Sequence, residues 1–271
     1  MTINGTRLTA IGGGAMGEAF IAGLLRPGGP VRAEDVAVVE PIPARREALS
    51  QLYGVRTGAA MAELVPGADI VLLAVKPDQF GAVAAELQSL LAPSQLVLTL
   101  MAGIPLATVV DGLRHPAAVR LMPNILCRVG AGMIVWYAGE AVSADQQELC
   151  RRCFSAMGAQ FAVADEKYLD MATAVSGSGP AYMFLILEAM IDAGVHLGFR
   201  RDQAAILAQQ TMLGAAQLIQ QEPQHPAHLR NVVTSPGGTT VEGLLVLEQR
   251  GVRAALIEAV LAAYAKARKL G

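Results

Sequence analysis

Short apolar runs rich in β-branched residues recur along the first 164 residues, and segments with helical spacing of hydrophobic positions separate several of them. The runs predict strands at residues 7–11, 36–40, 55–57, 70–75, 96–101, 118–122, 133–137 and 160–163. The helical spacing predicts helices at residues 15–25, 43–53 and 78–91. Strands that alternate with helices are typical of a mostly parallel sheet covered on both faces.

The pattern changes near Asp165, after which only helical spacing is found. Helices are predicted at residues 166–175, 180–197, 201–221, 240–250 and 252–270, with Gly198 and Gly251 at positions where helices commonly end. We therefore predict an α/β fold with two domains. Residues 1–164 form the domain with the sheet, and residues 165–271 form an all-helical domain.

Composition and charge narrow the class of protein. The 271 residues are 53% hydrophobic and 16% charged, whereas about 25% charged residues is usual, so an intrinsically disordered chain is excluded. The net charge of -2 argues against a nucleic-acid-binding surface, which would show a basic excess.

The longest uncharged stretch is residues 87–110, which is long enough to span a bilayer, and residues 171–187 are also uncharged. Pro93, Pro105 and several polar residues interrupt the first stretch, and the residues from 176 to 180 cut through the second. We expect no membrane-spanning helix. The polar residues 1–7 do not resemble a secretory signal, so we expect a cytoplasmic protein.

Cysteine and histidine spacing suggests no metal site. Cys150 and Cys153 have C-x-x-C spacing, but a zinc site needs four ligands and no second pair follows. We expect both to be packed as small hydrophobic residues on a helix. His225 and His228 flank Pro226 in a polar stretch without an acidic or cysteine partner, which favours a solvated loop.

A glycine-rich turn follows the first predicted strand and opens the first predicted helix. It satisfies the pattern G-x-G-x-x-G through Gly12, Gly13, Gly14, Ala15, Met16 and Gly17. Such a turn permits close approach of a pyrophosphate to the backbone at a helix N-terminus, and Glu40 is the acid expected at the end of the second strand. This context predicts a Rossmann-type dinucleotide-binding domain, and the alternative is a tight turn without a ligand.

Glu40 also affects the choice of cofactor. A carboxylate there can accept hydrogen bonds from ribose hydroxyls of NADH and would repel the 2′-phosphate of NADPH. Arg45 and Arg46 follow closely and are cations of the kind that attract that phosphate, although we expect them on the helix surface. The sequence therefore leaves NADH and NADPH both open, with Glu40 favouring NADH.

Two glycine-rich segments lie in the helical half, at residues 176–181 and 234–240. Pro180 suits the first turn of a helix, and Thr239 with Glu242 has the spacing of a capping box. Neither explains the additional glycines. Successive N–H groups in a glycine turn before a helix make a cradle for an anion, so the second segment predicts a site for a small carboxylate.

These residues together resemble the pyrroline-5-carboxylate reductase family, nearly from end to end. The resemblance rests on five segments, at residues 11–17, 74–77, 120–124, 176–182 and 234–240. Residues 213–216 and 258–264 also fit. Ser-Pro-Gly-Gly-Thr-Thr in an all-helical second domain is the most specific of these patterns.

The family resemblance implies an oxidoreductase acting on a CH–NH bond, in which hydride passes from NADPH or NADH to the C=N carbon of 1-pyrroline-5-carboxylate and gives L-proline, the last step of proline biosynthesis. It implies contacts to the cofactor from the glycine turn and from residues that follow other strands: Ile11, Gly12, Gly13, Gly14, Ala15, Met16, Gly17, Glu40, Ala74, Val75, Lys76, Pro77, Leu100, Met101, Ala102 and Asn124.

The same resemblance implies a substrate site in the second half. The substrate carboxylate would rest on N–H groups of Gly238, Thr239 and Thr240, and Glu166 would lie near substrate and nicotinamide. The hydroxyl of Thr240 would reach the ring nitrogen, either as a proton donor or only to orient it, which makes Thr240 the candidate catalytic residue. A pyrroline nitrogen is basic enough to be protonated near neutrality, so the enzyme needs positioning more than a strong acid.

The chain departs from the family pattern at two places. Residues 125–127 are Ile-Leu-Cys where the family commonly has Thr-Pro-Ala, which suggests a more apolar pocket floor, and Met61 stands where an Asn is frequent. A reductase of another cyclic imino acid is therefore the first alternative. A regulator that binds NAD(P)H without turnover is the second, and a purely structural helical assembly is the third.

Charged residues are scarce in the middle of the helical half. The charged residues between positions 171 and 221 are few: Glu188, Asp192, Arg200, Arg201 and Asp202. A helix without a charged face is normally buried all round. The domain at residues 165–271 is too small to bury both of the helices predicted at residues 180–197 and 201–221. We therefore expect a homodimer with interleaved helices, and the resemblance implies dimers that are often assembled into larger rings.

Overall fold

The computed structural model describes residues 5–269, and these form two compact units by their contacts. The first unit contains the described residues up to Ser178 together with those from Ala263 onward. The second contains Gly179–Ala262. The sequence-predicted boundary at 164/165 follows the change from strands to helices, whereas the compact units divide later along the chain.

The first unit is built on an eight-stranded sheet. Its strands are β1 (Leu8–Ile11), β2 (Val36–Val39), β3 (Arg56–Gly58), β4 (Ile70–Leu73), β5 (Leu96–Thr99), β6 (Ala118–Met122), β7 (Gly132–Ala138) and β8 (Gly158–Ala162), in the order β3-β2-β1-β4-β5-β6-β7-β8. Among the strands of residues 5–269, β6 and β7 are the one antiparallel pair. All eight predicted strands and the mostly parallel sheet are thus confirmed.

Both faces of the sheet are buried at the central strands β1, β2, β4 and β5, which explains their continuous apolar sequences. In β4, Ile70 and Leu72 belong to one hydrophobic cluster and Val71 and Leu73 to another. Successive side chains of a strand point to opposite faces. An alternating pattern is therefore absent because each face packs against helices.

Among the described residues up to Ser178, the first unit has seven α-helices: α1 (Ala15–Leu24), α2 (Pro43–Tyr53), α3 (Met61–Leu64), α4 (Phe80–Leu87), α5 (Leu106–Leu113), α6 (Ala144–Ser155) and α7 (Lys167–Ala172). The sequence did not predict α3 and α5. Both are short, so they contain too few turns to show helical periodicity.

Helices make up the second unit: α8 (Gly179–His196), α9 (Arg201–Gln221), α10 (Pro226–Val232), α11 (Thr239–Gln249) and α12 (Val252–Ala267), of which the last continues into the residues grouped with the first unit. Gly198 and Gly251 have φ of 105° and 69°, which confirms them as helix-ending glycines.

The expectation that the residues from 176 to 180 interrupt the second uncharged stretch is wrong. The chain forms a π-helical turn at Thr173–Gly177 and continues into α8. The hydroxyls of Thr173 and Ser176 donate to the carbonyls of Leu169 and Ala172, so they stay bonded to the helix backbone. Gly177, Gly179 and Pro180 are therefore accommodated in a continuous helical segment that contains a wider turn, and the helix is not broken there.

This continuity produces one long apolar helical segment. Within residues 5–269, Lys167–His196 is long and apolar enough to cross a membrane by composition, with a mean hydropathy of 1.3. A single segment of this kind is weak support for a membrane span, because helices of non-membrane proteins pass the same test.

The polar stretch around His225 is not the expected loop. Pro226 is the first residue of α10, and Nδ1 of His225 accepts a hydrogen bond from the N–H of Ala227 at 3.2 Å. His225 is therefore a helix N-cap. Among the residues that the structure describes, no group of three His, Cys, Asp or Glu side chains is placed to hold a metal ion.

The three cysteines are free thiols inside the first unit, and Cys150 and Cys153 pack on α6 as predicted. Burial raises the pKa of the Cys127 thiol from its ordinary 9.0 to about 11 and that of Cys153 to about 12. It raises the pKa of Cys150 as well. These thiols pack as small hydrophobic residues.

We expect the native protein to resist thiol reagents. At pH 8 a thiol pKa of about 11 in place of 9.0 lowers the thiolate fraction about a hundredfold, and burial slows access further. Titration with a chromogenic disulfide should detect all three thiols in denaturant and almost none in the native state. The Ser89→Cys variant, at an exposed position, should add one fast thiol; fast native labelling of the wild type would contradict the prediction.

Candidate dinucleotide site and helical loop

The turn between β1 and α1 depends on glycine at position 12. Gly12 has φ of 101°, and a Cβ there would lie 2.6 Å from the carbonyl oxygen of Ala74. Its N–H donates to the carbonyl of Val39 at 2.9 Å. Only glycine combines this backbone conformation with so close an approach to the strand next to it.

The other two glycines of the pattern have different surroundings. A Cβ at Gly17 would collide with the carbonyl of Gly12, so Gly17 permits close packing of α1 on the turn. A Cβ at Gly14 would meet open space. Gly14 is the N-cap of α1 and provides no side-chain cap.

The first turn of α1 has the geometry of an anion-binding site. The N–H groups of Ala15, Met16 and Gly17 occupy the first three helical positions, where no carbonyl of the same helix can accept from them. Ala15 is exposed and Met16 is half-buried. Together with the open space at Gly14, these donors suit a phosphate group.

Glu40 directly follows β2 and faces this turn, as the fingerprint predicts. The residue is 7% exposed. Oε2 accepts from the N–H of Gly13 at 2.9 Å, and Oε1 accepts from the N–H of Ile42 at 3.0 Å. Two backbone donors therefore fix its position.

Arg45 and Arg46 lie on the first turn of α2, but they are less exposed than the expected position on the helix surface implies. Both are half-buried. Nε of Arg45 donates to the carbonyl of Gly13 at 2.6 Å, and Nη1 of Arg46 donates to the carbonyls of Glu40 and Pro41 at 2.8 and 2.9 Å. The first turn of α2 directs both guanidiniums back to the glycine turn and the end of β2.

Glu18 is a further charged group at the turn, and Arg128 lies 3.7 Å from its carboxylate. Glu18 accepts hydrogen bonds from Arg45 at 2.5 Å and from the hydroxyl of Tyr53 at 2.8 Å. Burial opposes the charge on Glu18, but these hydrogen bonds outweigh it and hold the pKa of this carboxyl below its ordinary value. Burial and the same contact raise the pKa of Tyr53.

Two further predicted segments lie at the carboxyl edge of the sheet. Ala74, Val75, Lys76 and Pro77 directly follow β4, and Leu100, Met101 and Ala102 follow β5. The N–H of Ala74 donates to the carbonyl of Ile11 at 2.9 Å. Because β1, β4 and β5 are parallel, their carboxyl ends share one edge, where open α/β sheets bind ligands.

Asn124 follows β6, but its side chain is occupied by the protein. It is 5% exposed. Oδ1 accepts from the N–H groups of Leu126 and Met133 at 3.2 and 3.3 Å, and Nδ2 donates to the carbonyl of Ser176 at 3.0 Å. These contacts give Asn124 a structural role as the cap of the 3-10 helix Ile125–Val129.

Glu166 belongs to an ion-pair cluster that the sequence did not predict. Arg120 is buried on β6 and contacts Glu166 at 2.7 Å and Asp170 at 3.1 Å. Oε1 of Glu166 also accepts from the N–H of Leu106 at 2.8 Å. Glu166 lines a cavity of about 460 Å³ with residues that include Leu106 and Tyr137. The signal was available, because a lone arginine within an apolar strand requires buried partners.

In the second unit, the predicted capping box of Thr239 and Glu242 is wrong. Gly238 is the N-cap of α11, and no side chain caps this helix. Thr239 and Thr240 are its first two residues, so their N–H groups have no acceptor in the helix. Gly237 has φ of 70°, and the N–H of Gly238 donates to the carbonyl of Ser235 at 3.0 Å.

Comparison with known proteins now assigns the family. Residues 166–270 match the family model described as pyrroline-5-carboxylate reductase dimerisation, and residues 7–103 match the model described as NADP oxidoreductase coenzyme F420-dependent. A pyrroline-5-carboxylate reductase of Synechocystis sp. is 43% identical over 98% of this chain and 98% of its own. The chain belongs to the pyrroline-5-carboxylate reductase family. It is accordingly an oxidoreductase.

Solved structures agree with this family assignment. A pyrroline-5-carboxylate reductase of Coxiella burnetii is 35% identical and covers 99% of both chains with a TM-score of 0.88. The Plasmodium falciparum enzyme with NADP bound is 28% identical over the full length of both chains, with a TM-score of 0.89. A prephenate dehydrogenase of Aquifex aeolicus is only 13% identical, with a TM-score of 0.55, and shares the fold alone.

We expect Gly12→Ala and Gly14→Ala to differ in stability. Alanine at position 12 combines a left-handed backbone with a collision, so the free energy of unfolding should fall by about 2 kcal/mol or more. Alanine at position 14 enters open space and should cost only about 0.5 kcal/mol as a poorer N-cap. Chemical denaturation measures both values. Equal losses would show that Gly12 is not the residue on which the turn depends.

Proposed function

We propose that this chain reduces 1-pyrroline-5-carboxylate to L-proline with NADPH or NADH, as the last step of proline biosynthesis. The observation that carries this proposal is the 43% identity to a named pyrroline-5-carboxylate reductase over nearly the whole of both chains. The exposed donors at the start of α1 agree with a dinucleotide cofactor. The reduced nicotinamide supplies a hydride for the carbon of the C=N bond when it is bound.

We propose that the glycine turn binds the pyrophosphate. The turn fits this group because Gly14, the N-cap of α1, leaves open space beside it, and the first three N–H groups of α1 have no acceptor in the helix. Glu40 would accept from the adenosine ribose. The remaining proposed contacts come from residues at strand ends: Ile11, Ala74, Val75, Lys76, Pro77, Leu100, Met101, Ala102 and Asn124.

We propose that the start of α11 binds the substrate carboxylate. The N–H groups of Gly238, Thr239 and Thr240 would be its donors. This is supported by the position of Thr239 and Thr240 at the start of α11, where their N–H groups have no acceptor in the helix. The hydroxyl of Thr240 would hold the ring nitrogen. In the first unit, Glu166 would contribute to substrate binding, with its carboxylate fixed by Arg120 and the N–H of Leu106.

These residues perform positioning rather than proton transfer by a strong acid. The ring nitrogen of the substrate is basic enough to carry its own proton, and the protonated C=N bond is the better hydride acceptor. Orienting two bound reactants can supply a large part of a rate acceleration. Neither a catalytic histidine nor a catalytic lysine is needed for this reaction.

The direct test is oxidation of NADH and of NADPH, followed at 340 nm, with purified protein and 1-pyrroline-5-carboxylate. We expect substrate-dependent oxidation of at least one cofactor and formation of proline. A parallel assay with the six-membered ring analogue of the substrate tests the alternative that the enzyme reduces another cyclic imino acid. Absence of oxidation at high enzyme concentration would remove the proposed activity.

Thr240→Val should lower kcat/KM about tenfold, the value of one lost hydrogen bond of about 1.4 kcal/mol. Affinity for the dinucleotide should remain nearly unchanged. Thr211→Val is the matched control. Thr211 is exposed on α9, and its hydroxyl donates a hydrogen bond to the carbonyl of Leu207 in the same helix. Unchanged turnover of Thr240→Val would exclude its hydroxyl from the mechanism.

We also propose that residues 165–271 form a substrate-binding and dimerisation domain, and that the protein is a cytoplasmic homodimer, alone or as the unit of a ring. In the second unit, the buried side chains are few and small, including Ala204 and Ala208 on α9. Many large apolar side chains are exposed in the single chain, among them Leu185, Leu197, Phe184, Ile206, Val232 and Leu261. Such a surface is typical of an obligate interface.

Small-angle scattering and light scattering at micromolar concentration test the assembly. We expect a mass of two chains or a multiple of two. Replacing Leu185 and Ile206 with lysine should reduce the mass to that of one chain, whereas Arg26→Lys at the first unit should leave it unchanged. A monomeric wild type would contradict the proposed dimer.

A further inference from the structure

The Gly13 peptide is held from both sides by side chains of opposite charge. Its N–H donates to Oε2 of Glu40 at 2.9 Å, and its carbonyl accepts from Nε of Arg45 at 2.6 Å. Charged partners make hydrogen bonds about twice as strong as neutral ones. Glu40 and Arg45 therefore stabilise the backbone conformation of the turn.

Glu40 has little freedom to leave this position. The second oxygen accepts from the N–H of Ile42 at 3.0 Å, and the side chain is almost fully buried. A carboxylate has about four acceptor sites, so two remain for a ligand after these two bonds. The end of the second strand is where a Rossmann-type sheet presents an acid to the ribose 2′-hydroxyl.

The two neighbouring arginines are already committed to the protein. Arg45 joins Gly13 to Glu18, and Arg46 bonds the carbonyls of Glu40 and Pro41. Turning Arg45 toward a phosphate would leave the Gly13 carbonyl and the half-buried Glu18 without this cation. Breaking a partly buried ion pair is costly, so these contacts oppose recruitment of Arg45.

We propose that Glu40 makes this protein select NADH over NADPH, and that the engagement of Arg45 and Arg46 is what prevents them from reversing this preference. The inference rests on the proposed function, in that a dinucleotide must bind at the glycine turn. A fixed carboxylate accepts a hydrogen bond from a ribose 2′-hydroxyl. It repels a 2′-phosphate, which carries further negative charge at the same position.

The test is equilibrium binding of NADH and NADPH to the wild-type protein, followed by nicotinamide fluorescence at low and at moderate salt. We expect a Kd for NADH at least about tenfold lower than that for NADPH, because like charges in contact cost several kcal/mol. Competition by adenosine 5′-phosphate and adenosine 2′,5′-bisphosphate repeats the comparison without the nicotinamide. The bisphosphate should compete more weakly.

Glu40→Gln keeps the size of the side chain and one acceptor while removing the charge. The Kd for NADPH divided by the Kd for NADH should therefore fall toward one. Glu47→Gln is the matched control, because Glu47 is exposed on the same helix α2 and its described side-chain bond is to Gln51. Its ratio should equal that of the wild type. Thermal melting identifies a variant that fails to fold, and the wild-type comparison stands without either variant.

The outcomes separate this inference from the proposed function. Binding of neither dinucleotide would overturn both. Equal binding, or tighter binding of NADPH, would overturn the selection by Glu40 while leaving the reductase proposal intact. An unchanged ratio in a folded Glu40→Gln variant would likewise show that another feature discriminates between the cofactors.

Discussion

The close approach of Gly12 to the carbonyl of Ala74 is the constraint on which the arrangement at the sheet edge depends. It brings the end of β1 directly against the residue that follows β4, and the left-handed backbone of Gly12 turns the chain into α1. Only three residues separate β1 from α1, so the free N–H groups of the helix lie where the parallel strands end. Any side chain at position 12 would separate these elements.

The turn is stabilised by charge as well as by its shape. Glu40, Arg45 and Glu18 form a chain of contacts that passes through the Gly13 peptide, and Tyr53 extends it along α2. A buried charge without a partner destabilises a fold, whereas a compensated series of charges fixes one geometry. The residues that position the turn therefore also decide which charges are available to a ligand there.

Sequence patterns predicted the sheet because its central strands are short continuous apolar runs, and they predicted the long helices because those repeat hydrophobic positions over many residues. They did not predict contacts that depend on tertiary structure. Arg45 looked like a surface residue because its partner Gly13 lies 32 residues away. Thr239 and Glu242 had capping-box spacing, but Gly238 already ends the turn as the N-cap. The π-helical turn at Thr173–Gly177 was not predicted because Ser176 and Gly177, followed by Gly179 and Pro180, resemble a helix break.

The scarcity of charge in the helical half acquires a structural explanation from the way α8 and α9 meet. A Cβ at Gly194 would lie 2.9 Å from the Cβ of Ala204, so small residues let these helices approach closely. The interior of the second unit is consequently filled by small side chains, while Ile206 and Leu207 of the same helix remain exposed. Large apolar side chains that the unit does not use for its own packing are available to a second chain.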